Sequence, residues 1–184
     1  LPICIVEFLG REAERLAGAR DGSLPRGVGH SDLFPDNVLF AGRRRPELLC
    51  ILDLEQAATI PYVYDIAVSL LSFCAAPRRA EAPEEPRLGP LRLAPARALV
   101  EGYEALRPLS EAERAGLYEE LRYAALRFTT TRLTDVHLRA RPAGEGAPAP
   151  AAHSKDYRDF LRRLEALQEA GAGAVTAALF GGRA

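Results

Sequence analysis

The sequence predicts a mainly α-helical domain that carries one small β-hairpin, and three observations lead there. Five stretches repeat apolar residues at helical spacing, over about 1–20, 62–75, 93–106, 110–132 and 154–170. One pair of short apolar runs, Val38-Leu39-Phe40 and Leu48 to Leu52, is joined by a turn-like segment, Ala41-Gly42-Arg43-Arg44-Arg45-Pro46. A chain of 184 residues, 48% of them apolar, can also bury its own core without staples.

Residues 1–20 open with Ile3, Ile5, Val6, Phe8 and Leu9 and then turn charged. That pattern predicts a helix packed behind the following loop and ending at Asp21-Gly22-Ser23. From 62 to 75 the chain is apolar on every side, through Ile66, Val68, Leu70, Leu71 and Phe73, as a central buried helix should be. Residues 76–90 are too rich in proline and charge for regular structure and predict a surface loop. Leu99, Val100, Tyr103 and Leu106 stand at helical spacing over 93–106. Ser110 and Glu113 form a capping-box signature for a long helix with Leu117, Leu121, Ala125 and Phe128 along one stripe. Residues 139–152 are low in complexity. Ser154 is the expected cap of a last helix to about Ala170, in which Phe160, Leu161, Leu164 and Leu167 face inward and which Gly171 ends. The tail beyond carries no signal. The chain thus divides into a loop-and-hairpin part, 24–56, and a helical part, 62–184.

Composition narrows the function. A net charge of −1 and a pI near 6.4 give no electrostatic argument for nucleic acid or an anionic membrane surface. No apolar run approaches the roughly 20 residues that a bilayer span needs, and no signal peptide is visible. Cys4, Cys50 and Cys74 are odd in number, sit in apolar contexts and lack metal-ligand spacing. They read as buried free thiols of a reducing compartment, and the expected location is cytoplasmic.

The most informative residues are His30-Ser31-Asp32-Leu33-Phe34-Pro35-Asp36-Asn37, followed on a predicted strand by Ile51-Leu52-Asp53. A carboxylate, an amide five positions later and a second carboxylate after a short hairpin suit the placing of a hydroxyl against a magnesium-bound phosphate. Such a reaction asks for positioning and charge neutralisation more than for covalent catalysis. Asp32 would orient the hydroxyl and take its proton. Asn37 and Asp53 offer the hard oxygens that Mg2+ prefers. Pro35 stiffens the loop, and the hairpin returns Asp53 beside Asn37.

The stretch from Leu24 to Phe40 resembles the catalytic loop of the aminoglycoside-phosphotransferase-like kinases and, within them, the homoserine kinase branch. Ile51-Leu52-Asp53-Leu54-Glu55 resembles their metal-binding segment, and Tyr64-Asp65-Ile66-Ala67 resembles their Tyr-Asp-Leu-Ala helix start. Arg127-Phe128 with Arg132-Leu133 resembles a C-terminal helix of homoserine kinases. The resemblance implies the C-terminal (large) lobe of a protein-kinase-like α+β fold. It also implies ATP and Mg2+ as cofactors and a small-molecule hydroxyl substrate, homoserine or a related amino alcohol. By the same resemblance Asp32 is the catalytic base, Asn37 and Asp53 are the metal ligands, and His30 and Asp65 support the loop.

Plainer readings stand beside these. Asp65 equally suits an ordinary helix N-terminal acid, and His30 a satisfied core histidine. Glu55 is either a neighbour of the metal site or an exposed acid. Arg132 falls on the apolar stripe four residues past Phe128 and predicts either a structural ion pair or a contact to a substrate carboxylate, with Arg127 a weaker candidate. His137 and His153 read as a helix-end and a loop histidine.

Nothing before His30 matches the Gly-rich turn and lysine of the family's ATP-holding lobe, and the one lysine, Lys155, lies in the last predicted helix. The chain begins with Leu and holds no Met, which fits a piece of a longer protein whose N-terminal lobe lies elsewhere. The fragment by itself is therefore expected to turn over little. Aminoglycosides, choline or sugars are alternative acceptors, and a degenerate binding module is the non-catalytic alternative.

Overall fold

Leu117, Leu121, Ala125 and Phe128 recur at every third or fourth position, and all four are buried along one helix, α4 (Glu111–Thr131). The computed structural model describes residues 3–20, 22–42, 46–76, 86–138 and 156–181, with backbone alone at 136 and 137. Against α4 pack α1 (Ile3–Ala19), α2 (Tyr62–Phe73), α5 (Tyr157–Ala170) and α6 (Ala172–Phe180), while α3 (Leu93–Leu106) lies against α2 and α6. The capping box forms as the sequence predicts: Ser110 Oγ accepts from Glu113 N at 3.2 Å, and Glu113 Oε2 accepts from Ser110 N at 2.9 Å. The inward faces of these helices merge into one apolar core built on Leu16, Val63, Leu70, Leu71, Leu121 and Leu164.

Acids buried in the helical layer are matched by arginines. Glu12 accepts from Arg122 at 2.5 Å, and both residues are more than nine-tenths buried. Glu120 takes both arms of Arg20 at 2.9 and 2.8 Å, and Glu113 takes Arg107 at 2.7 Å. A buried carboxylate is tolerated only when its charge is compensated this way.

Strands are few and short. β1 (Arg26–Gly29) pairs antiparallel with β4 (Ala58–Pro61), Gly29 opposite Ala58. β2 (Val38–Ala41) and β3 (Glu47–Ile51) make the expected hairpin, with a bulge after Leu39 that twists it. The molecule is thus mainly α with small antiparallel hairpins, the large lobe of a protein-kinase-like fold.

Several expectations need correction. α1 packs on α4 through Leu9 and Leu16 rather than behind the catalytic loop. The β1–β4 ladder was not foreseen, because Arg-Gly-Val-Gly has no strand-like alternation. Within the expected 76–90 loop, Arg87–Leu88 (β5) pairs with Leu91–Arg92 (β6) across Gly89 at φ +53°. α5, expected as the last helix, is capped by Asp156, whose carboxylate accepts from Arg158 N at 2.9 Å. The tail after Gly171, read as featureless, forms α6 and buries Val175 and Leu179. Leu106 is 91% exposed in spite of its spacing. Cys74 is buried as expected, and burial pushes its thiol up to about 11, but Cys4 and Cys50 are exposed, one on α1 and one on β3. The expectations for 77–85, 139–152, His153, Ser154, Lys155 and the His137 side chain lie outside the described residues. No helix among the described residues is long and apolar enough to cross a membrane.

Candidate active site

β1 hands the chain to the loop His30–Asn37, and α2 begins one residue after the strand paired with it. That adjacency brings Asp65, in the first turn of α2, under the loop. Its Oδ2 accepts from His30 N at 2.6 Å and its Oδ1 from Ser31 N at 2.7 Å. Two short bonds to a carboxylate are the strong kind of hydrogen bond. They hold Ser31 at φ +66°, a left-handed conformation that a serine does not choose unaided. The fit is close enough that a Cβ on Gly29 would lie 2.7 Å from Asp65 Oδ2.

Other elements pin the rest of the loop. Ser72 Oγ on α2 donates to Leu33 O at 2.7 Å. Arg127 on α4 donates from Nη1 to Ser31 O at 2.6 Å and to Tyr64 Oη at 3.1 Å, and from Nη2 to Gln56 Oε1 at 3.3 Å. Tyr64 is buried, and burial pushes its phenol up to about 12. Phe34 anchors the loop tip edge-on to Phe128 at 5.0 Å and against Phe160 at 6.0 Å. His30 is 8% exposed and crosses to the hairpin: its Nδ1 accepts from Asp32 N at 3.3 Å, so Nε2 carries the proton and donates to Leu52 O at 2.8 Å.

Asp32, Asn37 and Asp53 therefore lie along one loop and the strand end joined to it. Asn37 O accepts from Leu52 N at 2.9 Å, which sets Asp53 immediately beside the end of the loop. Asp53 is exposed and also left-handed, at φ +58°. Asn37 Nδ2 donates to Asp32 O at 2.8 Å, so its Oδ1 lies outside that bond. Asp32 is half-buried, and burial raises its pKa, partly countered by the Arg127 charge and reinforced by Asp53. Glu55 is exposed.

A magnesium ion needs only one or two protein oxygens when phosphate and water fill its other positions. Asp53 and Asn37 fit that need. Among the described residues no group of three or more His, Cys, Asp or Glu forms a closed cage, as structural zinc would require.

Arg132 lies past the end of α4, at the start of a wider π-helical turn over Arg132–Leu138. Among the described residues it has no ion-pair partner of the kind the stripe suggested. Its guanidinium lies over the rings of Phe160, at 4.5 Å, and Phe34, at 5.7 Å. Arg127, weighed as a substrate contact, is committed to the loop instead. Sequence reasoning missed Ser72 and Phe160 as parts of the site. The available signals were a serine on a largely apolar helix and, for Phe160, the aromatic Phe34 inside a polar loop, which needs an apolar surface to pack on.

A model of the phosphotransferase enzyme family matches residues 5–109, more than half of the chain, across the loop, the hairpin and the helix that carries Asp65. The chain belongs to that family. Relatives include the homoserine kinase of Phenylobacterium zucineum, 44% identical over 160 residues, covering 87% of this chain and 43% of the relative. The homoserine kinase of Xanthobacter autotrophicus is 45% identical over 160 residues, 87% of this chain and 44% of its own. That of Nitrobacter winogradskyi is 38% identical over 166 residues, 90% and 44% respectively. The chain spans less than half the length of these family members.

Proposed function

We propose that this chain supplies the acceptor-activating and metal-holding lobe of an ATP-dependent phosphotransferase whose acceptor is the hydroxyl of homoserine or a related amino alcohol. The observation that carries the reading is the pinned loop that presents Asp32 with Asn37 and Asp53 beside it. Asp32 accepts a hydrogen bond from the acceptor hydroxyl, orients its oxygen toward the γ-phosphate, and takes the proton as the oxygen–phosphorus bond forms and the bond to ADP breaks. Asn37 and Asp53 would hold Mg2+, whose charge would neutralise that of the phosphates. Arg127 favours the ionised, proton-accepting form of Asp32 and fixes the loop.

The rest of the nucleotide is held by an N-terminal lobe, in the same chain or another. The exposed apolar side chains of the hairpin, among them Leu39, Phe40, Leu48 and Leu49, support a covering partner on that side. The homoserine kinase relatives and the Arg132 cation favour an acceptor that bears a carboxylate over a polycationic aminoglycoside.

The test is ATP-dependent phosphorylation of homoserine by the form that includes the nucleotide lobe. Asp32→Ala is expected to lower kcat by about 100-fold or more. Equal turnover by the variant, or no phosphorylation of any amino alcohol, would overturn the reading.

A further inference from the structure

Arg132, Phe160 and Arg163 form a feature that phosphoryl transfer alone leaves unused. Both guanidinium carbons sit over one ring, Arg132 at 4.5 Å and Arg163 at 4.3 Å from the Phe160 centroid. Arg163 is tethered, donating from Nη1 to Leu71 O at 2.8 Å. Arg132 is half-buried, yet no described residue accepts a hydrogen bond from it or forms an ion pair with it, and its contacts are the two ring faces. Two cations on one apolar platform repel each other, and the rings offset only part of the cost of removing them from water. Burial lowers the pKa of both, and each arginine remains cationic at neutral pH. The charges of Asp159, Asp32 and Asp36 act on Arg132, so this cationic spot borders the loop that presents Asp32.

We propose that Arg132, supported on the Phe34–Phe160 platform and backed by Arg163, receives the carboxylate of the acceptor, which makes the site selective for hydroxy-amino acids over amino alcohols lacking that group. The inference rests on the phosphotransferase reading for the direction in which the acceptor lies. The anion subsite itself is tested without turnover. A guanidinium whose donors no described residue takes up, lying on an aromatic support, matches the planar, two-oxygen shape of a carboxylate. Arg163 raises the local positive potential and fixes α5 against α2, so it is a positioning residue.

The decisive experiment measures the Kd of the chain for homoserine and for 3-amino-1-propanol, which keeps the amine and the hydroxyl and lacks the carboxylate, by NMR titration at pH 7. Homoserine is expected to bind about tenfold more tightly or better, as a charge-assisted pair implies. That preference should vanish in Arg132→Gln, survive in part in Arg132→Lys and weaken in Arg163→Gln. The Arg132 side chain makes no hydrogen bond to a described residue, so its variants should keep the unfolding midpoint of the parent, and the two-ligand comparison in the unaltered chain needs no variant at all. Equal affinity for the two ligands, a preference that survives Arg132→Gln, or no detectable binding of either ligand overturns the inference. Turnover separates the two readings. A homoserine preference that depends on Arg132, without ATP-dependent phosphorylation, retains the subsite and removes the phosphotransferase reading. Phosphorylation of both compounds with equal kcat/KM retains the phosphotransferase and removes the subsite.

Discussion

Replacing Asp65 with Asn tests whether the loop conformation is imposed from below. The carboxylate accepts two backbone N–H groups at 2.6 and 2.7 Å. Asn keeps one acceptor and turns its NH2 toward the second N–H, so one bond is lost and a donor–donor contact takes its place. A hydrogen bond to a charged group contributes about 1.5–3 kcal/mol net. Losing the acid from the first turn of α2 costs about 0.3–1 kcal/mol more. The sum is a loss of roughly 2–4 kcal/mol, of which Ser31 recovers part by leaving its left-handed conformation. Urea unfolding of the chain should show that loss with an unchanged slope. Native-state hydrogen exchange should show the His30 and Ser31 amides about 30- to 700-fold less protected, since about 1.4 kcal/mol corresponds to a factor of ten. A loss under about 0.5 kcal/mol with protection intact would refute the clamp, because Asp65 would then be only a helix-terminal acid.

Burial raises the Asp32 pKa above its unfolded value, so the folded chain holds that proton more tightly than the unfolded one. The ionised carboxylate therefore costs stability above its unfolded pKa, and the cost is lost as pH falls through the folded pKa. Asp32→Asn should raise the unfolding midpoint at neutral pH and lose that advantage below about pH 4, as scanning calorimetry at both conditions would reveal; an unchanged or lower midpoint at neutral pH contradicts it. Glu12→Ala should cost about 3–5 kcal/mol in urea unfolding, because it strands the buried Arg122, whereas removing the more exposed Arg15 should cost under about 1 kcal/mol. Equal effects would show that the buried pair is not what matters. Gly29→Ala should cost about 1–3 kcal/mol by pressing on Asp65 and Ile60, while Gly10→Ala, with open space around it on α1, should stabilise by up to about 1 kcal/mol. The same sign for both would refute the packing argument.

Much of this was legible in the residues themselves. Helices announce themselves through local periodicity, which is why the stripe from Leu117 to Phe128 and the Ser110–Glu113 capping box could be read directly. The α3 segment was legible for the same reason, α2 by its all-round apolarity and the β2–β3 hairpin by two apolar runs about a turn, while the spacing of Asp32, Asn37 and Asp53 suggested the chemistry proposed above. What the residues could not announce depends on neighbours distant in the chain. Arg-Gly-Val-Gly becomes a strand only because β4 lies beside it, and Gly29 is required because Ile60 and Asp65, 31 and 36 positions later, crowd its α-carbon. Arg127 reads as a candidate substrate ligand until the fold sets the Ser31 carbonyl, 96 positions away, against its guanidinium. Arg132 reads as a buried ion pair until Phe34 and Phe160 arrive from opposite ends of the chain to support it. Local free energies set the elements, whereas the loop conformation and the use of each arginine follow from packing, which only the tertiary structure decides.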